Sequence, residues 1–144
     1  MTTNLIEKIQ KMWKEDSRIN PDDLHNESLK VPELHSKYYE MFTNIMLLKK
    51  SAEEEKNITK HKRYEFYTGK ANPEEYEDVC QKKIRDKSHL DLCLNADEAI
   101  TKLNLKIEYY NTVLDYLSDI IKMIHSRTYQ IKNSIDAQKI IMGF

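Results

Sequence analysis

From Ile100 to Met142 thirteen residues recur at strictly alternating steps of three and four, and eleven of them are apolar. They are Ile100, Leu103, Ile107, Tyr110, Leu114, Leu117, Ile121, Ile124, Thr128, Ile131, Ile135, Gln138 and Met142. Only an α-helix gathers that spacing onto one face, because its turn of about 3.6 residues returns the chain to the same side every three or four positions. A repeat sustained over about six heptads is the pattern of coiled-coil packing. A second stripe, Val113, Tyr116, Ile120 and Met123, runs beside the first. Residues 96–144 are therefore predicted to hold one helix of roughly 45 residues. Thr128, flanked by Ser126 and Arg127, is its weak seam position and the expected place of a bend or break.

Turns generally use Gly and Pro, and the 144 residues contain two Gly and three Pro. Few, long helices follow. Pro32 suits the first turn of a helix, where its missing N–H costs nothing. Gly69 stands where a left-handed cap would end that helix. The predicted helix runs from Pro32 to Thr68, about 55 Å at 1.5 Å per residue. Its seam reads Leu34, Tyr38, Met41, Ile45, Leu48 and Ala52, then continues through Glu55, Thr59 and Lys62. The first half thus demands burial, and the second half does not. A short amphipathic helix is predicted at 4–17 from Leu5, Ile6, Ile9, Met12 and Trp13, followed by a polar connector that holds one helical turn. Within 70–95, Asn72-Pro73-Glu74-Glu75 reads as the start of a short helix, and Asn95, with Glu98 three residues on, as the cap of the last one. The expected fold is all-α: a single domain over 1–144, divided into 1–31, 32–69, an irregular acidic 70–95, and 96–144. One other long helix is too little to cover both stripes of the last, so the chain is expected to self-associate through Ile107, Tyr110, Leu114, Leu117, Ile121, Ile124, Ile131 and Ile135.

Several function classes have no support. There is no apolar run of the length needed for a membrane span. The N-terminus carries charge inside its apolar stretch and lacks a secretory cleavage pattern. Cys80 and Cys93 form no disulfide framework or zinc spacing, and read as reduced thiols of a cytoplasmic protein, with Cys93 as a small core residue. No phosphate-binding glycine loop, GxSxG or HExxH occurs, and the five histidines lack a ligand spacing. Asp115 and Asp119 share a helix face, as surface acids commonly do. No enzyme activity, cofactor or metal is expected.

The formal net charge of −1 argues against a nucleic-acid binder, but its distribution does not. Lys56 to Lys70 carries five Lys/Arg against one acid, whereas Ala71 to Glu98 carries eight acids against four Lys/Arg. The basic stretch ends in KHKRYEFYTGK. On a helix Lys56, Lys60 and Arg63 share a face. Tyr64 and Tyr67 flank it, while Lys62 and Phe66 point elsewhere. Cations that follow phosphates, next to rings on which bases stack, are what a single strand requires. A solvated helix end, with Lys and Arg complementing the macrodipole, is the bland alternative.

Four segments together resemble the UvsY family of phage recombination mediators: HSKYYEMF, KHKRYEFYTGK, SHLDLCLNADEAITKLNLKIEYY and SRTYQIKNSIDAQ. The resemblance covers roughly residues 34 to 144. It implies a non-enzymatic protein in the cytoplasm of the infected host cell. Such a protein binds single-stranded DNA, weakens the hold of the phage single-strand-binding protein and helps load a RecA-like recombinase. It implies a helical ring of identical subunits, a hexamer or heptamer. The family's DNA-contacting run falls on His61, Arg63, Phe66, Tyr67, Thr68, Gly69 and Lys70, with His61 where a Lys is typical. Together with Lys56, Lys60, Lys62 and Tyr64 these form the candidate DNA surface. The acidic stretch from Glu74 to Asp78 reads as solvated loop, with steering of DNA or contact with a basic partner as the other readings. The rival for the whole chain is a structural coiled-coil assembly protein without nucleic-acid binding.

Overall fold

The computed structural model describes residues 3–76 and 83–143. Among the described residues every regular element is helical: α1 (Thr3–Asp16), α2 (Leu24–Leu29), α3 (Val31–Tyr67), a 3-10 turn (Pro73–Tyr76), α4 (Lys87–Asn95) and α5 (Glu98–Ile141). The expected all-α class is the one observed. Cys80, and Glu77 and Asp78 of the acidic stretch, lie outside the described residues. The expected single domain is organised as two compact units, Met1–Met46 with Thr112–Phe144, and Leu47–Asn111.

In the first unit Ile9, Tyr38, Val113, Leu117 and Ile124 are almost wholly buried. Trp13 packs edge-on against Tyr38 with ring centres 5.4 Å apart. The Tyr38 hydroxyl donates to Asp16 Oδ2 at 2.8 Å, and Lys37 Nζ pairs with the same oxygen at 2.6 Å. The connector does fold, into the six residues of α2. Lys30 alone separates α2 from α3, and its carbonyl accepts the Leu34 N–H at 3.0 Å. Pro32 thus lies in the first turn of α3, as expected.

Helix α5 runs without interruption through Thr128, so there is no break there. Along this unit the buried positions are Val113, Leu117, Ile120, Ile124, Arg127 and Ile131, with Leu114 beside them. Leu117, Ile124 and Ile131 keep their places in the seam, but Ile120 is buried in preference to Ile121 and Arg127 occupies the place assigned to Thr128. Arg127 is only 3% exposed. Its Nη1 donates to the carbonyls of Asp16 and Ser17, and Nη2 donates to the Arg18 carbonyl and to Glu27 Oε2 at 2.9 Å. The last carbonyls of a helix lack partners within it. Here a guanidinium from α5 supplies donors beyond the end of α1, so a charged residue fits the seam without breaking the helix.

In the second unit the facing side of α3 carries Lys49, Ala52, Lys56, Thr59, Arg63 and Phe66, all buried or half-buried, whereas Leu48, Glu55 and Lys62 are exposed. This corrects the seam read beyond Ala52. Long cationic side chains cover a core with their methylene stems while the charged heads stay wet. A hydropathy count scores them as solvent-facing.

Within 70–95 the described residues are more ordered than expected. Asn72-Pro73-Glu74-Glu75 opens only a 3-10 turn, with the Glu75 N–H on the Asn72 carbonyl at 3.0 Å. Helix α4 then forms a small core from Leu90, Leu94 and Ile100, with Tyr67 and Ile84 against it. Cys93 is half-buried and reduced. Asn95 ends α4 and does not cap α5. The cap is Asp97, whose Oδ1 accepts the N–H groups of Ala99 at 3.0 Å and Ile100 at 3.3 Å.

Candidate nucleic-acid interface

The basic–aromatic run lies wholly in the second unit, on the last turns of α3 and the cap that ends it. Gly69 has φ of 77°, a conformation glycine adopts without a Cβ penalty. Around it the Lys70 N–H reaches the Glu65 carbonyl at 2.8 Å and the Gly69 N–H reaches the Phe66 carbonyl at 3.3 Å. These two bonds form the Schellman closure of a helix. The chain then returns to the same end twice. The Tyr76 hydroxyl donates to the Phe66 carbonyl at 2.7 Å, and its ring stacks on Phe66 at 4.9 Å. The Ile84 N–H bonds the Tyr67 carbonyl at 3.0 Å. The stem of Lys83 lies over Gly69, so close that an added Cβ would meet Lys83 Cε at 2.5 Å.

Asp97 organises the other side of this end. Its Oδ2 accepts Arg63 Nε at 2.6 Å and the Tyr67 hydroxyl at 2.7 Å, while Oδ1 caps α5. The residue is 4% exposed. Burial pushes its carboxyl pKa up, but the hydrogen bonds from Tyr67 and Arg63 outweigh that and hold it below the ordinary carboxylate range. Burial and the bond to Asp97 push the Tyr67 phenol up. Burial alone would lower the Arg63 pKa, but Tyr67 and Asp97 raise it, so the guanidinium stays charged. The guanidinium lies 4.2 Å from the ring centre of Phe66 and 5.1 Å from that of Tyr67.

The run therefore divides. Lys60, His61, Lys62, Tyr64 and Lys70 are exposed; Lys56, Arg63 and Tyr67 are half-buried; Phe66 is buried under Tyr76. The Phe66 ring is a packing element, and Tyr64, at 41% exposed, is the ring open to a ligand. His61 Nε2 sits 3.1 Å from Glu65. Among the described residues Lys60, Lys62 and Lys70 make no ion pair.

Sequence reasoning missed Asp97, counted only as one acid of an acidic stretch, and Lys83 and Arg85, which the return of the chain carries back toward the basic end. An Asp immediately before the apolar run of α5 was the available signal for Asp97. In the first unit His35 and His125 bring their rings to 5.2 Å, beside an open groove of about 330 Å³. No cluster of three or more His, Cys, Asp or Glu suited to a metal occurs among the described residues. No helix among them is long and apolar enough to cross a membrane.

The residues expected to mediate self-association are largely taken up within the chain. Tyr110, Leu114, Leu117, Ile124 and Ile131 are buried, Ile107 and Ile121 are half-buried, and Ile135 is exposed. Exposed apolar residues form one run near the end of α5, at Ile140, Ile141 and Met142, and another in α3, at Met46, Leu47 and Leu48.

Comparison with known proteins agrees with this architecture. The family model described as the recombination, repair and ssDNA binding protein UvsY matches residues 12–144. The recombination protein uvsY of Enterobacteria phage T4 is 25% identical over 138 residues, covering 96% of this chain and 98% of the relative. A crystal structure of the bacteriophage T4 recombination mediator protein UvsY, in lattice type IV, matches with a TM-score of 0.80 at 22% identity, over 93% of this chain and 96% of that one. The lattice type II structure matches with the same TM-score at 24% identity, over 94% and 96%. The chain belongs to the UvsY family of recombination, repair and single-stranded-DNA-binding proteins.

Proposed function

We propose that this chain is a non-enzymatic recombination mediator that holds single-stranded DNA around the exposed end of α3. The observation that supports this is the set Lys60, Lys62 and Lys70, exposed cations without ion pairs among the described residues on more than one side of that end, with the exposed ring of Tyr64 on the Lys60 side. Lys56, Arg63 and Lys83 extend the positive flank. Tyr64 is assigned base stacking, and Tyr67 contributes its exposed edge. Phe66 braces the platform from beneath.

One such patch binds weakly and loses affinity with salt. Repetition around a ring of six or seven identical subunits makes each further contact intramolecular, so avidity rises without new contacts. The contacts between subunits are assigned to the exposed apolar end of α5. A strand bent over successive patches fits a single-strand-binding protein poorly and is ready for transfer to a RecA-like recombinase. Both proteins are the proposed partners, in the cytoplasm of the infected host cell.

Fluorescence anisotropy with a labelled oligonucleotide, at low and moderate salt, tests the reading. The variant Lys60→Glu/Lys62→Glu should weaken binding by more than about tenfold. It should also flatten the log–log salt dependence by about 1.4, because each phosphate contact on a single strand contributes about 0.7. Light scattering should find the oligomer unchanged. Absence of binding by the unaltered chain at both salts would leave the structural coiled-coil reading in place. Dissociation of the oligomer by the variant would make the patch an interface.

A further inference from the structure

Among the described residues Arg63 is the one cation of the basic run that a buried acid holds. Its side chain is 32% exposed, against 3% for Asp97. The contact goes through Nε, on the stem side of the guanidinium. Among the described residues no carboxylate or carbonyl bonds the two terminal nitrogens, and neither is a buried unpaired atom, although the Tyr67 hydroxyl also lies against the guanidinium. The plane is further fixed by the rings of Phe66 and Tyr67, and Phe66 is itself backed by Tyr76. An arginine's terminal N–H groups form a flat fork that matches two phosphate oxygens. Such a fork contributes most when its rotamer is already set, since less side-chain freedom is lost on binding.

We propose that Asp97 is a positioning residue for single-stranded-DNA binding: it holds Arg63 through Nε so that the terminal nitrogens stand ready as a preformed clasp for one phosphate. The inference rests on the reading of the α3 end as the DNA surface. Asp97 touches no DNA in this arrangement and acts through Arg63. A shared carboxylate oxygen places the Tyr67 hydroxyl in the same small network. The other carboxylate oxygen ties the network to the first turn of α5.

The sign of one substitution separates positioning from simple electrostatics. Asp97→Asn removes a negative charge beside a polyanion site, which by Coulomb attraction alone should tighten binding. Asn is as good a helix cap as Asp, so Oδ1 can still serve α5, but the amide NH₂ cannot accept from Arg63 Nε and Tyr67. Positioning therefore predicts weaker binding from a more positive protein. The expected loss is on the order of tenfold, with a salt dependence flatter by about 0.7.

Affinity is measured by anisotropy on the full chain, with thermal unfolding and light scattering on the same samples. Arg63→Lys keeps the charge but not the fork, and should lose affinity to a similar degree. Adding Asp97→Asn to Arg63→Lys should then cause no further loss. Should Asp97→Asn fail to fold, Tyr67→Phe, which removes one donor from Asp97 and keeps the ring, carries the same test with a smaller loss. Tighter or unchanged binding by a folded Asp97→Asn variant, or full additivity with Arg63→Lys, overturns the inference. Loss of binding in Lys60→Glu/Lys62→Glu alongside normal binding in Asp97→Asn would sink the inference while leaving the DNA surface in place. Normal binding in both would sink the surface itself.

Discussion

Arg127 and Asp97 are buried charges that each serve a helix end. Arg127 supplies donors to the carbonyls beyond α1, and Asp97 supplies acceptors to the first amides of α5. Removing one partner of a buried pair leaves the other uncompensated. Arg127→Met should therefore cost about 3–5 kcal/mol in urea denaturation, with much of it restored in Arg127→Met/Glu27→Leu. Asp16, Glu27 and Asp97 each start from a pKa raised by burial. In each, hydrogen bonds more than reverse that rise: from Lys37 and Tyr38, from Arg127 and Lys30, and from Tyr67 and Arg63. All three carboxyls end below their ordinary range. Their contribution to stability is whole above the unfolded-state values, near about pH 4, and is lost as pH falls through the lower folded-state values. These groups should leave the thermal midpoint level from about pH 7 to pH 5 and depress it below about pH 4. Neither role was read from the sequence. Arg127 adjoined the apolar repeat but looked like a fault in it, because its acceptors lie about 110 residues away in the chain. Asn95 and Asp97 were both acceptable caps, and only the packing of Leu94 and Ile100 selects the second.

At the scale of elements, the sequence was most readable where local chemistry decides. Pro32 and Gly69 bracket α3 because a missing N–H and a positive φ have only local remedies. The length of α5 and the short α1 follow from periodicity, whereas the continuity of α5 through Thr128 does not. Helix α4 was missed because nine residues with buried Leu90 and Leu94 and an exposed Leu92 give too short a pattern. The second half of α3 was read as solvent-facing because its packing surface consists partly of Lys and Arg stems. Gly69→Ala should cost about 1–2 kcal/mol, since a Cβ is disfavoured in the left-handed region. Lys83 must swing aside as well, but its flexible end can do so. Hydrogen exchange at the Ile84 amide, which bonds the Tyr67 carbonyl at this end, should accelerate in that variant.

For the molecule as a whole, the near-neutral total charge conceals a division between a basic run and an acidic one, and the apolar surface divides likewise. Much of the heptad seam is satisfied inside one chain, and the exposed apolar end of α5 is the surface proposed to join copies. Ile135→Ser/Ile141→Ser should lower the mass found by light scattering and weaken oligonucleotide binding through lost avidity. Lys60→Glu/Lys62→Glu should weaken binding at constant mass. The end of α3 has one more consequence. A helix terminates in a partial negative pole, which ordinarily repels an anion. Here the carbonyls of Tyr64, Glu65, Phe66 and Tyr67 all receive donors from Thr68, Lys70, Gly69, Tyr76 or Ile84. With those carbonyls occupied from within, less of the negative pole is left to oppose the phosphate chain proposed for this end.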